Sequence, residues 1–153
     1  MKNNHVVFVC TGNICRSPMA EYMLRESLGE HSNCQVSSAG VMTGFGAPAS
    51  TLGVHVMSEI GLDASQHRSM PLTDEVVDRA SVIVVMTQGH ADQVEQMFPH
   101  AKEKIFLLSS FDDNAQYKDV ADPIGSTVEV YRSVRDQISN AMPGLVSFLK
   151  ELE

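Results

Sequence analysis

Residues 5–18 read His-Val-Val-Phe-Val-Cys-Thr-Gly-Asn-Ile-Cys-Arg-Ser-Pro. The first five are mostly β-branched and apolar, which predicts a buried strand, and the small and polar residues that begin at Cys10 predict a loop. Ser17 and Pro18 favour the start of a helix, because proline lacks the N–H group that the first turn of a helix leaves unbonded. This stretch therefore predicts a strand, a short loop and a helix in succession.

The rest of the chain alternates in the same way between short apolar runs and stretches with helical spacing. Further strands are predicted at 34–38, 81–86 and 104–108, and helices at 49–61, from 73 onward, at 87–98 and at 127–152. Pro143 and Gly144 are expected to bend or divide the last helix. The alternation predicts one α/β domain over 1–153, with a doubly wound parallel sheet and a ligand site at the carboxyl ends of its strands, where Cys10 is found.

The loop from Cys10 to Ser17 has the pattern Cys, five residues, Arg, Ser. Between a strand and a helix, such a loop can curl around one tetrahedral anion, with its backbone N–H groups directed inward at the positive end of the helix. Glycine in the loop relieves crowding at the turn. The residues expected to surround a phosphate are Thr11, Gly12, Asn13, Ile14, Cys15 and Arg16.

Three side chains of this loop are suited to phosphoryl transfer. The inward amides, the helix dipole and Arg16 favour the thiolate form of Cys10, which makes Cys10 a candidate nucleophile. The planar guanidinium of Arg16 matches two phosphate oxygens, a geometry that lysine lacks. The Ser17 hydroxyl can donate to the thiolate and so help it to leave when a cysteinyl-phosphate is hydrolysed.

The three cysteines are too few and too unevenly spaced for a disulfide framework, so a reducing compartment, the cytoplasm, is expected. Cys15 has two interpretations that stay open. It can form a reversible protective disulfide with Cys10, or it can be a small core residue behind the loop. Cys34 is expected to be a buried residue that fills space in a strand.

Composition limits the classes of partner. The formal net charge is −8, which argues against a nucleic-acid or anionic-membrane surface. No apolar run approaches the roughly 20 residues of a membrane span. The histidines show no metal-ligand spacing, so neither a metal nor another cofactor is predicted. An anionic substrate must then be bound locally, by the loop.

The residues 8–21, FVCTGNICRSPMAE, resemble the opening of the low-molecular-weight protein tyrosine phosphatases. The similarity continues through Ser-Ser-Ala-Gly at 37–40 and through Asp122-Pro123, over essentially the whole chain. The resemblance implies a single-domain three-layer fold, a four-stranded parallel sheet flanked by helices, with the phosphate-binding loop between the first strand and the first helix. It also implies that Asp122 is the general acid that protonates the leaving oxygen and then the base that activates water.

The same resemblance implies a supporting cluster and a class of substrate. Asn13, Ser38 and His67 match positions whose side chains hydrogen-bond to one another and hold the phosphate loop in shape. The implied partner is a phosphorylated protein substrate, a tyrosine kinase or its targets, and the expected assembly is a monomer or a weak dimer.

Two features bear on the substrate. Many family members have two aromatic residues after Asp-Pro, whereas Ile124 and Gly125 stand here, so that Ile14, Phe45 and Ile124 are expected to line the mouth of the site. The Asp-Pro-x-Gly form and residues 46–50 resemble a bacterial branch that includes protein arginine phosphatases, which is the main alternative. In that branch the position of Ile14 is typically threonine, which can contact the substrate nitrogen. Isoleucine cannot, so Ile14 favours phosphotyrosine.

Two other functions are weaker alternatives. Arsenate reductases with related loops need a pair of resolving cysteines farther along the chain, and no cysteine follows Cys34. A non-catalytic module that binds phosphorylated residues would keep Arg16 and the inward amides but would need neither Cys10 nor Asp122.

Overall fold

The computed structural model describes residues 4–30 and 32–152 and contains one parallel sheet of four strands with helices on both faces. The predicted fold class is confirmed, and residues 1–3, 31 and 153 of the predicted domain lie outside the description. The strands are β1 (His5–Cys10), β2 (Gln35–Gly40), β3 (Val82–Val85) and β4 (Ile105–Leu107). The helices are α1 (Arg16–Leu28), α2 (Thr51–Ser58), α3 (Asp74–Arg79), α4 (Gln88–Met97) and α5 (Val128–Glu151). Within the described ranges, no helix is long and apolar enough to cross a membrane.

The first strand lies at the centre of the sheet, whose order is β2-β1-β3-β4. Its side chains alternate between two cores, as expected for a strand that is buried on both faces. Val6 and Phe8 pack in the core that α1 and α5 cover, whereas Val7 and Val9 pack in the core that α3 and α4 cover. This double burial explains why the run is apolar at every position.

The carboxyl end of β1 lies where the chain order of the sheet changes direction. Cys10 is paired with Gly40 of β2 on one side, and Val9 with Val85 of β3 on the other. The chain passes from β1 to β2 on one side of β1 and then returns to β3 on the other side. The loop after Cys10 therefore lies at the topological switch point, where a crevice forms at the carboxyl ends of the strands. Cys10 thus lies at the carboxyl end of a strand, as the sequence predicts.

Two sequence expectations are wrong in detail. Cys34 precedes β2 and is only half-buried, so it is not a buried residue within a strand. The last helix is not divided, because α5 runs unbroken through Pro143 and Gly144. Gly144 instead allows a close approach: a Cβ atom there would lie 1.9 Å from the carbonyl oxygen of Phe111.

Substituting alanine at Gly144 is therefore expected to destabilise the protein, although alanine is the better helix former. The added methyl group must move α5 away from Phe111, and we expect Gly144→Ala to lower the free energy of unfolding by about 1–3 kcal/mol. Urea denaturation of Gly89→Ala is the matched control. A Cβ at Gly89 in α4 would lie 3.5 Å from its nearest neighbour, so that change should be neutral or stabilising. Equal stability of the two variants would contradict the close packing of α5 on Phe111.

Candidate active site

The loop between β1 and α1 surrounds a small cavity of about 160 Å³. The residues that line it are Cys10, Thr11, Gly12, Ile14, Cys15, Arg16, Asp122 and Ile124. Helix α1 begins at Arg16, and no side chain caps its first turn. Unbonded N–H groups at the N-terminus of a helix make this end of the cavity attractive to an anion.

Cys10 is buried at the bottom of the cavity, and its Sγ lies 2.9 Å from Ser17 Oγ. This contact places the hydroxyl where it can donate to a thiolate. The predicted pair of nucleophile and hydroxyl donor is thus brought together at the strand end.

Arg16 is almost fully buried and its three guanidinium nitrogens have different surroundings. Nη1 donates to the carbonyl oxygen of Val120 at 2.9 Å, and Nη2 lies 3.7 Å from Asp122 Oδ2. Nε is buried and has no hydrogen-bond partner among the described residues. Burying a guanidinium N–H group without a partner costs free energy of folding. The unpaired Nε therefore points to an anionic ligand in the cavity that Arg16 lines.

Asn13 holds the loop in its curled form. Its φ of 57° lies in the left-handed region, which asparagine tolerates better than most residues. Its Nδ2 donates to Ser17 Oγ at 2.9 Å and to Ser38 Oγ at 2.8 Å, and its Oδ1 accepts from the backbone N–H of Met70 at 2.8 Å. His67 Nε2 donates to the Asn13 carbonyl oxygen at 2.7 Å. The structure therefore brings Asn13, Ser38 and His67 together: Asn13 and Ser38 bond through their side chains, whereas the bond of His67 goes to the backbone of Asn13.

Glu21 is a member of this cluster that the sequence reasoning missed. Its carboxylate is buried, accepts from Ser38 Oγ at 2.5 Å, lies 3.9 Å from His67 Nδ1 and pairs with Arg25. Glu21 lies in the second turn of α1, beyond the first turn, in which the helix dipole would explain an acidic side chain. The contact with Ser38 depends on how α1 packs beside β2, which no local pattern reveals.

Gly40 at the end of β2 lies against the loop. A Cβ atom there would lie 2.7 Å from the carbonyl oxygen of Thr11 and 3.2 Å from Cβ of Asn13. The bare backbone at this position lets β2 support the loop directly, through hydrogen bonds from Val41 N to Cys10 O and from Met42 N to Thr11 O, both at 3.0 Å.

Asp122 enters the cavity from a different part of the chain. Its side chain is 46% exposed, and its Oδ1 accepts from the backbone N–H of Ile124 at 3.0 Å. This Asx-type turn directs Oδ2 towards Arg16. Of the four aspartates on the loop between β4 and α5, only Asp122 lines the cavity.

Two of the three residues predicted at the mouth lie there. Ile14 and Ile124 line the cavity, whereas Phe45 is 78% exposed and is absent from the cavity wall. The mouth is therefore walled by two aliphatic side chains. No group of three or more histidine, cysteine or acidic side chains within the described residues is arranged to hold a metal ion.

Cys15 is directed towards the core on the far side of the loop. Its Sγ lies 3.4 Å from Ser50 Oγ and 3.4 Å from the Tyr131 hydroxyl, and the cysteine is a free thiol. Burial raises the pKa of the Cys15 thiol and raises the pKa of Tyr131 to about 12. Cys15 thus packs as a neutral thiol here, and a disulfide with Cys10 stays a prediction.

His90, at the start of α4, is a second contact of the loop that sequence reasoning missed. Its Nε2 lies 2.9 Å from Thr11 Oγ1, and the ring is buried. Burial, together with the nearby charge of Arg16, lowers the pKa of His90 to about 4, so the imidazole is neutral near pH 7. A lone histidine in a helix carries no pattern that would have indicated this contact.

The family model and the relatives that match this sequence are all phosphatases. The family model described as low molecular weight phosphotyrosine protein phosphatase matches residues 5–153. A protein-arginine-phosphatase of Geobacillus stearothermophilus is 40% identical over 145 residues, which cover 95% of each chain. A probable low molecular weight protein-tyrosine-phosphatase, EpsP, of Ralstonia nicotianae is 33% identical over 147 residues, or 96% of this chain and 97% of that protein.

The fold agrees with the sequence comparison. The solved structure of the YwlE arginine phosphatase from Geobacillus stearothermophilus superposes with a TM-score of 0.88 at 39% identity, covering 97% of this chain and 94% of the other. Together with the loop between β1 and α1, these matches show that the chain belongs to the low molecular weight phosphotyrosine protein phosphatase family.

Proposed function

We propose that this protein is a phosphatase that hydrolyses phosphotyrosine in proteins, and small aryl phosphates, through a cysteinyl-phosphate on Cys10. The observation that carries the proposal is the position of the Cys10 thiol, at the bottom of a cavity lined by Arg16 and Asp122. Membership of the family supports a phosphorylated protein as the substrate.

The anion would be held by charge and by directed N–H groups. The Arg16 Nε has no partner among the described residues, so it and Nη2 can bind two phosphate oxygens as a fork. The N-terminus of α1 adds backbone donors and the positive end of the helix dipole. These groups also stabilise the charge that spreads over the equatorial oxygens during transfer.

The first chemical step would form a bond between Cys10 Sγ and phosphorus as the bond from phosphorus to the ester oxygen breaks. The proton that the leaving phenolate needs would come from Asp122, which lines the same cavity. In the second step the Asp122 carboxylate would take a proton from water, whose oxygen attacks phosphorus. The Cys10 thiolate then leaves, stabilised by the Ser17 hydroxyl 2.9 Å away.

The choice of phosphotyrosine depends on Ile14. Its aliphatic side chain lines the cavity with Ile124 and gives a phosphorylated aromatic ring an apolar wall. It has no group that could hydrogen-bond to the nitrogen of phosphoarginine, which disfavours that substrate. Protein arginine phosphatase is the second candidate, and the 40% identity to a relative of that name favours it.

A matched pair of peptides tests the choice. We expect the wild type to hydrolyse a phosphotyrosine peptide at least about tenfold faster in kcat/KM than the same peptide with phosphoarginine, and Ile14→Thr to narrow or reverse this ratio. Ile60→Thr makes the same chemical change at a half-exposed position outside the cavity lining and should leave the ratio unchanged. A wild type that prefers phosphoarginine would replace phosphotyrosine with the second candidate.

A further inference from the structure

The first turn of α4 contacts the loop that carries Asp122. Asp119 Oδ1 accepts from the backbone N–H of Gln88 at 2.9 Å, and Val120 N donates to the carbonyl oxygen of Met86 at 2.9 Å. A carboxylate at the N-terminus of a helix satisfies a free N–H group and interacts favourably with the helix dipole. Asp119 is therefore an anchor that comes three residues before Asp122.

Asp122 itself has few other constraints. Its side chain is half-exposed, and its contacts are the turn to Ile124 N and the 3.7 Å approach to Arg16. The bonds that fix the backbone before it are those of Asp119 and Val120, including the bond from Arg16 Nη1 to the Val120 carbonyl oxygen. The bond of the Asp119 side chain to Gln88 N is thus one of the contacts that hold the backbone before Asp122.

The same turn of α4 also contacts the phosphate loop. Thr87 Oγ1 caps the helix by accepting from the backbone N–H of His90 at 3.0 Å, and the His90 ring lies 2.9 Å from Thr11 Oγ1. The phosphate loop (residues 10–17) and the loop that carries Asp119 and Asp122, here called the aspartate loop, are therefore both hydrogen-bonded to the first turn of α4. A rigid element between them can fix the distance from Asp122 to Cys10.

We propose that Asp119 is a positioning residue, whose carboxylate on the N-terminus of α4 holds Asp122 at the distance that proton transfer requires. The inference rests on the proposed role of Asp122 as the general acid. Proton transfer needs the donor within about 2.6–3.2 Å of the leaving oxygen, and a displacement of about 1 Å can cost up to about 100-fold in rate. Loss of the anchor should therefore slow the steps that need the proton and leave anion binding intact.

The test measures kcat/KM of purified variants for two phosphate esters that differ in their leaving group. Phenyl phosphate needs protonation of its leaving oxygen, whereas dinitrophenyl phosphate has a leaving group that departs largely without it. The variants are Asp119→Ala and Asp119→Asn, where asparagine keeps the accepting oxygen, together with Asp122→Ala as the reference. Asp113→Ala is the control, since Asp113 is an exposed aspartate of the same loop for which the described residues provide no hydrogen bond or ion pair.

We expect Asp119→Ala to lower kcat/KM about tenfold for phenyl phosphate and less than about twofold for dinitrophenyl phosphate. The inhibition constant of inorganic phosphate should stay within about twofold of the wild-type value. Asp119→Asn should recover most of the loss, and Asp113→Ala should show none. The bond from Gln137 Nε2 to the Asp119 carbonyl oxygen, 3.1 Å long, uses the backbone and remains in both variants.

Equal losses of Asp119→Ala on the two esters, or no loss on either, would overturn the positioning role while Asp122→Ala still showed its dependence on the leaving group. If Asp122→Ala lowered kcat/KM equally for both esters, the proposed general acid would be wrong and the inference would fail with it. The two failures are therefore distinguishable in one set of measurements.

Discussion

Cys10→Ser is expected to lower kcat/KM for aryl phosphates by at least about 10⁴-fold. A hydroxyl at this position stays protonated near neutral pH, and a serine oxygen is a poorer leaving group than a thiolate when the covalent intermediate is hydrolysed. The measurement is steady-state turnover of para-nitrophenyl phosphate, with intact mass spectrometry to detect a phosphoryl group retained on the variant.

Two comparisons make the result specific. Phosphate analogues should still bind to Cys10→Ser, because Arg16 and the backbone N–H groups of the loop are unchanged. Cys34→Ser, at a half-buried position before β2 and outside the cavity lining, should keep wild-type turnover. Appreciable turnover by Cys10→Ser would show that the phosphoryl group does not pass through Cys10.

Arg16→Lys is expected to lower kcat/KM by about 10²–10³-fold, although the positive charge is kept. An ammonium group cannot bind two phosphate oxygens as a fork and also donate to the carbonyl oxygen of Val120, as the guanidinium does at 2.9 Å. The variant should therefore lose both oxyanion binding and part of the attachment of the aspartate loop. Stopped assays with para-nitrophenyl phosphate give kcat and KM, and inhibition by inorganic phosphate gives the affinity for the anion.

Arg79→Lys is the matched control for this change. Arg79 is exposed on α3, where it pairs with Glu75 at 2.7 Å, so a lysine there can replace it at little cost. An Arg16→Lys variant that kept more than about a tenth of wild-type kcat/KM would contradict the bidentate role of the guanidinium.

The parts of the site that the sequence predicted are those built from neighbouring residues. The contact of Cys10 with Ser17 and the position of Arg16 at the start of α1 follow from a strand, a loop and a helix that are continuous in the chain. The choice of Asp122 among the four aspartates of one polar loop depends on the family resemblance.

The parts that escaped prediction depend on packing between distant elements. His90 meets Thr11 only because α4 follows β3, the neighbour of β1 in the sheet. The close approach at Gly144 could not be predicted either, because the backbone that it contacts belongs to Phe111, which lies against α5 in space but 33 residues earlier in the chain. Local propensity contains no information on such contacts.

The bond between Arg16 and the Val120 carbonyl oxygen joins residues 104 positions apart in sequence. Closing so long a loop costs conformational entropy, and the bond needs the polypeptide as far as Val120. During synthesis, a chain that has already exposed the whole Cys10–Ser17 segment still lacks the partner that fixes its arginine. It follows that a polypeptide interrupted anywhere before Val120 contains the whole loop from Cys10 to Ser17 and still lacks this partner of Arg16.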